Sequence, residues 1–131
     1  MKKAIILLVV VAAALSSYAQ QKTTATTVTG TQKSAEALVK DVKKGKAYLV
    51  DVRTPEEYKA GHLKYSQNID YKAADFKTSI SKLDKSKTIY LYCRTGNRSG
   101  KAADTLKVLG YPSYYNIGGF EALKTEGLPA E

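Results

Sequence analysis

The chain has one cysteine, Cys93, set in the stretch Cys93-Arg94-Thr95-Gly96-Asn97-Arg98-Ser99. An apolar, β-favouring run from Thr88 to Tyr92 leads into it, a polar loop with a glycine follows, and a helical pattern starts straight after. A thiol between a strand's carboxyl end and a helix's amino end sits where backbone N–H groups and the helix dipole favour negative charge. Such a setting, together with nearby cations, can lower a cysteine pKa from about 8.5 to between about 3.5 and 7.5. The surrounding charges have the required sign. From Lys85 to Ala103 there is no Asp or Glu, while Lys85, Lys87, Arg94, Arg98 and Lys101 are all present. The chain's three arginines, Arg53, Arg94 and Arg98, all fall in two predicted strand-end loops, and arginine offers a planar, permanently charged fork for oxyanions. Thr95, Gly96 and Ser99 are small enough to leave N–H groups free to form a nest. The pattern describes a cysteine nucleophile in a cationic cradle. Its partner is a small anion, or an anionic sulfur carried on the cysteine itself.

Strands and helices must alternate to place that loop. Ser34 is a predicted N-cap for a helix with Ala35, Leu38, Val39 and Val42 on one face and Gly45 as its stop. Ala47 to Val52 reads as a strand buried on both faces. Thr54, Pro55 and Glu57 then spell a capping box with proline at the first helical position, for a short helix ending at Gly61. Ser66 to Ile69 is a further short strand, Ala73 to Leu83 has helical spacing, and Thr88 to Tyr92 is the strand before the cysteine. The next helix turns Ala102, Ala103, Leu106 and Leu109 inward and stops at Gly110. Ser113 to Ile117 is the last strand, and Gly118-Gly119 turns the chain into a final helix over Phe120 to Lys124. This alternation predicts an α/β fold, a mostly parallel central sheet with helices on both faces, whose sites form at the strands' carboxyl ends.

The chain has 131 residues, 44% of them hydrophobic and 25% charged, which fits one globular domain. Residues 1–19 read as a signal peptide: Lys2 and Lys3, an apolar run from Ala4 to Leu15, and small residues Ser17 and Ala19 before a predicted cleavage after Ala19. The run is short for a membrane span, so no stable membrane insertion is expected after cleavage. The absence of a cysteine there excludes a lipid-modified terminus. Removal takes two lysines from a net charge of +9 and sends the protein to the periplasm or outside the cell. A lone thiol cannot form an internal disulfide and is open to oxidation in such a compartment, so its retention calls for a function. Residues 20–32 are threonine-rich and read as a linker, with a short edge strand near Val28 to Gln32. Residues 33–131 are the folded domain.

Three motifs then resemble the rhodanese family of sulfurtransferases in its single-domain bacterial form, over about Ser34 to Gly127. They are Asp51-Val52-Arg53-Thr54-Pro55-Glu56-Glu57-Tyr58 with Gly61-His62-Leu63, the Cys93 to Ser99 loop, and Tyr115-Asn116-Ile117-Gly118-Gly119-Phe120. The resemblance implies a rhodanese-like three-layer fold and a thiosulfate sulfurtransferase. Cys93 would be the catalytic cysteine, carrying sulfur as a persulfide from thiosulfate or a similar small anionic donor to cyanide or a thiol. Arg94, Thr95, Gly96, Asn97, Arg98 and Ser99 would bind the substrate, with no cofactor. A single His and a single Cys do not make a zinc site of the Cys/His kind. Four residues separate Cys93 from Arg98, one fewer than in related phosphatases and arsenate reductases, which favours a single sulfur atom over a phosphate. A non-catalytic sulfur carrier, and less so a Cys-dependent phosphatase or arsenate reductase, are the alternatives.

Asp51 and Arg53 are expected to form a buried pair that holds the two strand-end loops together. His62 could pair with a cysteine as a base, but it follows a helix-ending glycine and the resemblance gives it a structural role. The lysines are scattered with no basic helix and no aromatic interleaving, so nucleic acid is not an expected partner.

Overall fold

The structure, a computed structural model, describes residues 27–131. The predicted signal peptide and most of the threonine-rich stretch lie outside the described residues. In chain order the elements are α1 (Ala35–Lys43), β1 (Ala47–Asp51), α2 (Pro55–Ala60), β2 (Gln67–Asn68), α3 (Phe76–Ile80), β3 (Thr88–Cys93), α4 (Asn97–Val108), β4 (Tyr114–Gly119) and α5 (Phe120–Thr125). The strands form one sheet in the order β2-β1-β3-β4, with every pairing parallel. Its two central strands, β1 and β3, read as near-continuous apolar runs because both their faces are covered.

Side-chain alternation along β3 divides the core. Tyr90 and Tyr92 point to one face, where Leu49 of β1, Leu38 of α1 and Leu123 of α5 meet them. Ile89, Leu91 and Cys93 point to the other, against Val50, Phe76 and Ile80 of α3, and Ala102 and Leu106 of α4. The period of two along a strand forces this division, and the result is three layers, helix on sheet on helix. Burial of each of these leucines and isoleucines contributes roughly 1.5–3 kcal/mol.

Local signals fix the helix starts near the site. Ser34 accepts from the Ala37 N–H at the head of α1. Thr54 accepts from the Glu57 N–H at 3.3 Å, and the Glu57 carboxylate accepts from the Thr54 N–H at 3.0 Å, so the predicted capping box forms.

Three expectations are corrected. The helix expected over Ala73 to Leu83 is only Phe76–Ile80. Asp75 gives it no side-chain cap, and Lys82 and Leu83 donate to Ser79 and Ile80 in tighter turns. The edge strand expected near Val28 to Gln32 reduces to a single antiparallel bridge, Thr27 to Ser34. That end of the supposed linker is packed rather than loose: Val28 is fully buried in the α1 and α5 layer, and Thr29 donates its N–H and its hydroxyl to Glu126. Gly118 and Gly119 are the end of β4 and not a turn, pairing with Tyr92 and Cys93. Between the Leu91–Asn116 and Tyr92–Gly118 pairs the register shifts by one residue. A bulge of this kind re-aims side chains, and here it lies beside the cysteine loop.

Candidate active site

Cys93 is the last residue of β3, and its side chain is 1% exposed. The sulfur accepts from the Gly96 N–H at 3.0 Å and from the Ser99 hydroxyl at 3.4 Å. Gly96 is the N-cap of α4 and has φ 98°, a left-handed conformation that glycine adopts without strain. It has no side chain with which to cap the helix. The caps of α1 and α2 satisfy their own first N–H groups, whereas at α4 no side-chain cap bond is made and the Cys93 sulfur takes that place. Burial works to raise the thiol pKa. The Ser99 hydroxyl and the backbone N–H groups of Ser99, Thr95 and Gly96 outweigh it, and the net shift is downward. The thiolate is therefore favoured chiefly by hydrogen bonds from the loop, more than by the arginines that the charge pattern brought forward.

Behind the loop stands a residue that sequence reasoning quoted in a motif and gave no role. Asn116 of β4 donates from Nδ2 to the Gly96 carbonyl at 3.0 Å. Its Oδ1 accepts from the Ser99 hydroxyl at 2.7 Å and from the Gly118 N–H at 3.2 Å. These three bonds fix the orientation of the amide. They also leave the single Ser99 hydroxyl hydrogen between two acceptors, Asn116 Oδ1 and Cys93 Sγ. Gly119 lets β4 come this close: a Cβ there would lie 2.4 Å from the Arg94 carbonyl oxygen.

The two loop arginines differ. Arg98 makes a two-pronged ion pair with Glu57 of α2, Nη1 to Oε2 at 2.7 Å and Nη2 to Oε1 at 2.9 Å. Arg98 holds the Glu57 carboxyl down at about 2. The loop that lacks acids in sequence thus acquires one from 41 residues away, so a carboxylate stands beside the cationic cradle. Arg94 is exposed and makes no ion pair among the described residues.

Asp51 and Arg53 do form a buried pair, but not as a tie to the cysteine loop. Arg53 donates to Asp51 from Nε and Nη2, at 3.0 and 2.7 Å. Its Nη2 also reaches the Gly61 carbonyl at 2.7 Å, and its guanidinium lies 4.4 Å from the Phe120 ring centroid. The pair anchors the end of β1 to the end of α2 and to the start of α5. His62 stacks on Tyr58 and bonds the Tyr58 carbonyl through Nδ1 at 2.8 Å, with Nε2 facing Glu131. Both ring nitrogens are engaged away from the cysteine, in keeping with a structural histidine.

With this geometry, comparison with known proteins is decisive. Residues 34–126 match the rhodanese-like domain. The chain belongs to the rhodanese-like family. It is 33% identical over 92 residues to the thiosulfate sulfurtransferase GlpE of Pseudomonas aeruginosa, a match covering 69% of this chain and 81% of that protein. It is 35% identical over 72 residues to the thiosulfate sulfurtransferase PspE of Escherichia coli, covering 55% and 69%. It is 40% identical over 77 residues to the YqhL protein of Bacillus subtilis, covering 58% of this chain and 60% of that relative's length. Among solved structures it resembles a rhodanese with anions from E. coli, with a TM-score of 0.54 and 33% identity over 65% of this chain and 96% of that one. It also resembles the rhodanese-like domain of an Anabaena protein, with a TM-score of 0.61 and 26% identity over 76% and 77% of the two chains.

The surface over this rhodanese-like loop has two depressions that meet at Arg94 and Glu57. One, of about 370 Å³, is lined by Arg53, Gly61 and Phe120 among others. The other, of about 450 Å³, is lined by Thr54, Thr95, Asn97 and Arg98, with Lys72 and Lys101 at its side. In the sequence Lys101 stood out only as one of the cations near the cysteine, and Lys72 did not stand out at all. Their types carry no signal, since lysines are spread along the whole chain.

Proposed function

We propose that this rhodanese-like protein is a thiosulfate sulfurtransferase working through a Cys93 persulfide. The observation that carries the reading is the sulfur's seat: Cys93 Sγ at the head of α4, accepting from Gly96 N–H and the Ser99 hydroxyl, with its pKa lowered. In the first half-reaction the Cys93 thiolate attacks the outer sulfur of thiosulfate. An Sγ–S bond forms, the donor's S–S bond breaks, and sulfite leaves with its electron pair. In the second, cyanide or a thiolate attacks that outer sulfur, the Sγ–S bond breaks, and the thiolate returns to the same N–H groups. Neither half-reaction needs a redox cofactor, because the oxidation level of the transferred sulfur travels with it. Donors that bond the sulfur in the resting state are positioned to hold the negative charge each time it returns, without reorganisation.

The Arg98–Glu57 pair also argues for sulfur over phosphate. A dianionic phosphoryl group would need Arg98's fork, and that fork is already filled by a carboxylate. We propose further that the protein acts after export, with a mature chain beginning at Gln20. The N-terminal sequence of the protein recovered from the cell envelope or medium checks this, and an intact Met1 would overturn it.

Incubation with thiosulfate followed by mass measurement of the whole protein tests the main reading. A gain of one sulfur atom, removal of that sulfur by cyanide with formation of thiocyanate, and loss of both in Cys93→Ser are the expected outcome. An accessible thiol that takes up no sulfur would overturn it.

A further inference from the structure

Asn116 faces the cysteine loop with an amide that its backbone partners can orient in only one way. The Gly96 carbonyl can only accept, so the NH2 group must face it, at 3.0 Å. The Gly118 N–H can only donate, so the amide oxygen must face it, at 3.2 Å. That oxygen has no hydrogen to give, and the Ser99 hydroxyl 2.7 Å away therefore donates to it. α4 makes room for the amide with a glycine: a Cβ at Gly100 would lie 3.3 Å from Asn116 Nδ2, although a glycine inside a helix weakens it. Ser99 has one hydroxyl hydrogen and a second acceptor, Cys93 Sγ, at 3.4 Å. With the hydrogen on Asn116, a Ser99 lone pair faces the sulfur and accepts from it while it is a protonated thiol. A thiolate has nothing to donate, so the hydroxyl serves it only by turning.

From this we infer that Asn116 is a positioning residue, which holds the Ser99 hydroxyl away from Cys93 Sγ and releases it when that sulfur carries charge. In the thiol the chain of donors runs from Sγ–H to Ser99 Oγ and from Ser99 O–H to Asn116 Oδ1. When Cys93 gives its proton to solvent, the Ser99 O–H turns to Sγ, and Oδ1 keeps the Gly118 N–H. One hydrogen moves and no heavy atom does. Holding the hydroxyl back keeps the thiolate more basic, and a more basic thiolate is the stronger nucleophile. The consequence for turnover rests on the sulfurtransferase reading: in the persulfide the charge sits on the outer sulfur and the hydroxyl returns to Asn116, then turns back when an acceptor takes that sulfur. The charged groups on the elements around Cys93 are Arg94 of the loop, Arg98 and Lys101 of α4, Glu57 of α2, and the Asp51–Arg53 pair at the end of β1. β4 brings Asn116 and glycines to this place, and α3 brings Phe76 and Ile80.

The test reads the Cys93 thiol alone, from the pH profile of its alkylation by iodoacetamide, with no sulfur donor present. Asn116→Ala is compared with the parent, and the same change is made in Ser99→Ala, where no hydroxyl is left to release. None of the charged groups named above is altered. Loosening of the loop by the lost bonds to Gly96 and Gly118 acts in both backgrounds and cancels in the difference between them. The expected result is a midpoint displaced by Asn116→Ala to lower pH by about half a unit or more with Ser99 present, relative to its displacement in Ser99→Ala. Asn116→Ser is too short to hold the Ser99 hydroxyl but still offers an oxygen to the Gly118 N–H, and it should give a difference of the same sign if Asn116→Ala does not fold. An equal displacement in the two backgrounds, or a difference of the opposite sign, overturns the proposal. So does the collapse of both variants, which would make Asn116 a residue of the fold and not of the site. A protein that takes up no sulfur from thiosulfate overturns the sulfurtransferase reading and leaves the result on the thiol standing.

Discussion

Ser99 carries more of the site's chemistry than its size suggests. It is fully buried, its hydroxyl hydrogen lies between Asn116 Oδ1 and Cys93 Sγ, and its N–H also supports the sulfur. Ser99→Ala removes the hydroxyl and keeps the N–H. A neutral hydrogen bond contributes about 0.5–1.5 kcal/mol, so alkylation of Cys93 by iodoacetamide at neutral pH should slow by a few-fold to about tenfold. The midpoint of its pH profile should move up. The sign follows from the group: an acid with a lowered pKa is reactive above that pKa and loses reactivity as the pH falls through it. A profile unchanged by Ser99→Ala would mean that the N–H groups alone hold the thiolate.

α2 is only six residues long and buries none of them, yet it governs the loop above β3. It reaches that loop through Glu57, which closes the capping box and holds Arg98 with the same carboxylate. Glu57→Gln should cost about 0.5–1 kcal/mol in denaturant unfolding, the scale of a partly exposed ion pair, because a glutamine at this position still closes the capping box. The pH dependence has a definite sign. The Glu57 carboxyl is lowered from 4.5 to about 2, so its stabilisation is fully present above pH 4.5 and is lost as the pH falls towards 2. The stability difference between the parent and Glu57→Gln should shrink over that window, and a difference constant from pH 6 to pH 2 would contradict the assignment.

The whole molecule holds the site by pressing β4 against the cysteine loop. Asn116 and Gly119, neighbours of Cys93 only through the sheet, set the loop's shape from behind. The φ of Gly119 is −109°, open to any residue, so its requirement is for space alone. Gly119→Ala would drive a methyl group into the Arg94 carbonyl, and the atoms it meets are all backbone. The expected cost is about 1–3 kcal/mol of stability, as for other overpacked sites. Sulfur loading should slow with it, because the loop that feeds N–H groups to Cys93 must shift. Circular dichroism and thiosulfate-dependent mass gain measure the two effects, and an unaltered loading rate would show that the contact does not shape the loop.

The sequence by itself determined what short-range physics controls. The capping box at Thr54, the N-cap at Ser34, the alternation of Ile89, Tyr90, Leu91 and Tyr92, and the small, cationic stretch after Cys93 are all written in neighbouring residues, and they specify the α/β architecture and mark out the cysteine loop. Where local signals were weak the reading drifted. Helical spacing over Ala73 to Leu83 had no cap to sustain it, and glycines at 118 and 119 suggested a turn where pairing with β3 extends a strand. Only the tertiary structure decided which charges and dipoles meet at the sulfur. Glu57 comes to Arg98 across 41 positions, Asn116 comes to Ser99 across 17, and Lys72 joins Lys101 from another strand-end loop. Such pairings follow from sheet order and from the bulge in β4, which no local pattern fixes. They turned a loop that looked wholly cationic into one whose thiolate is held mainly by N–H and O–H groups, with one arginine already taken and the other open.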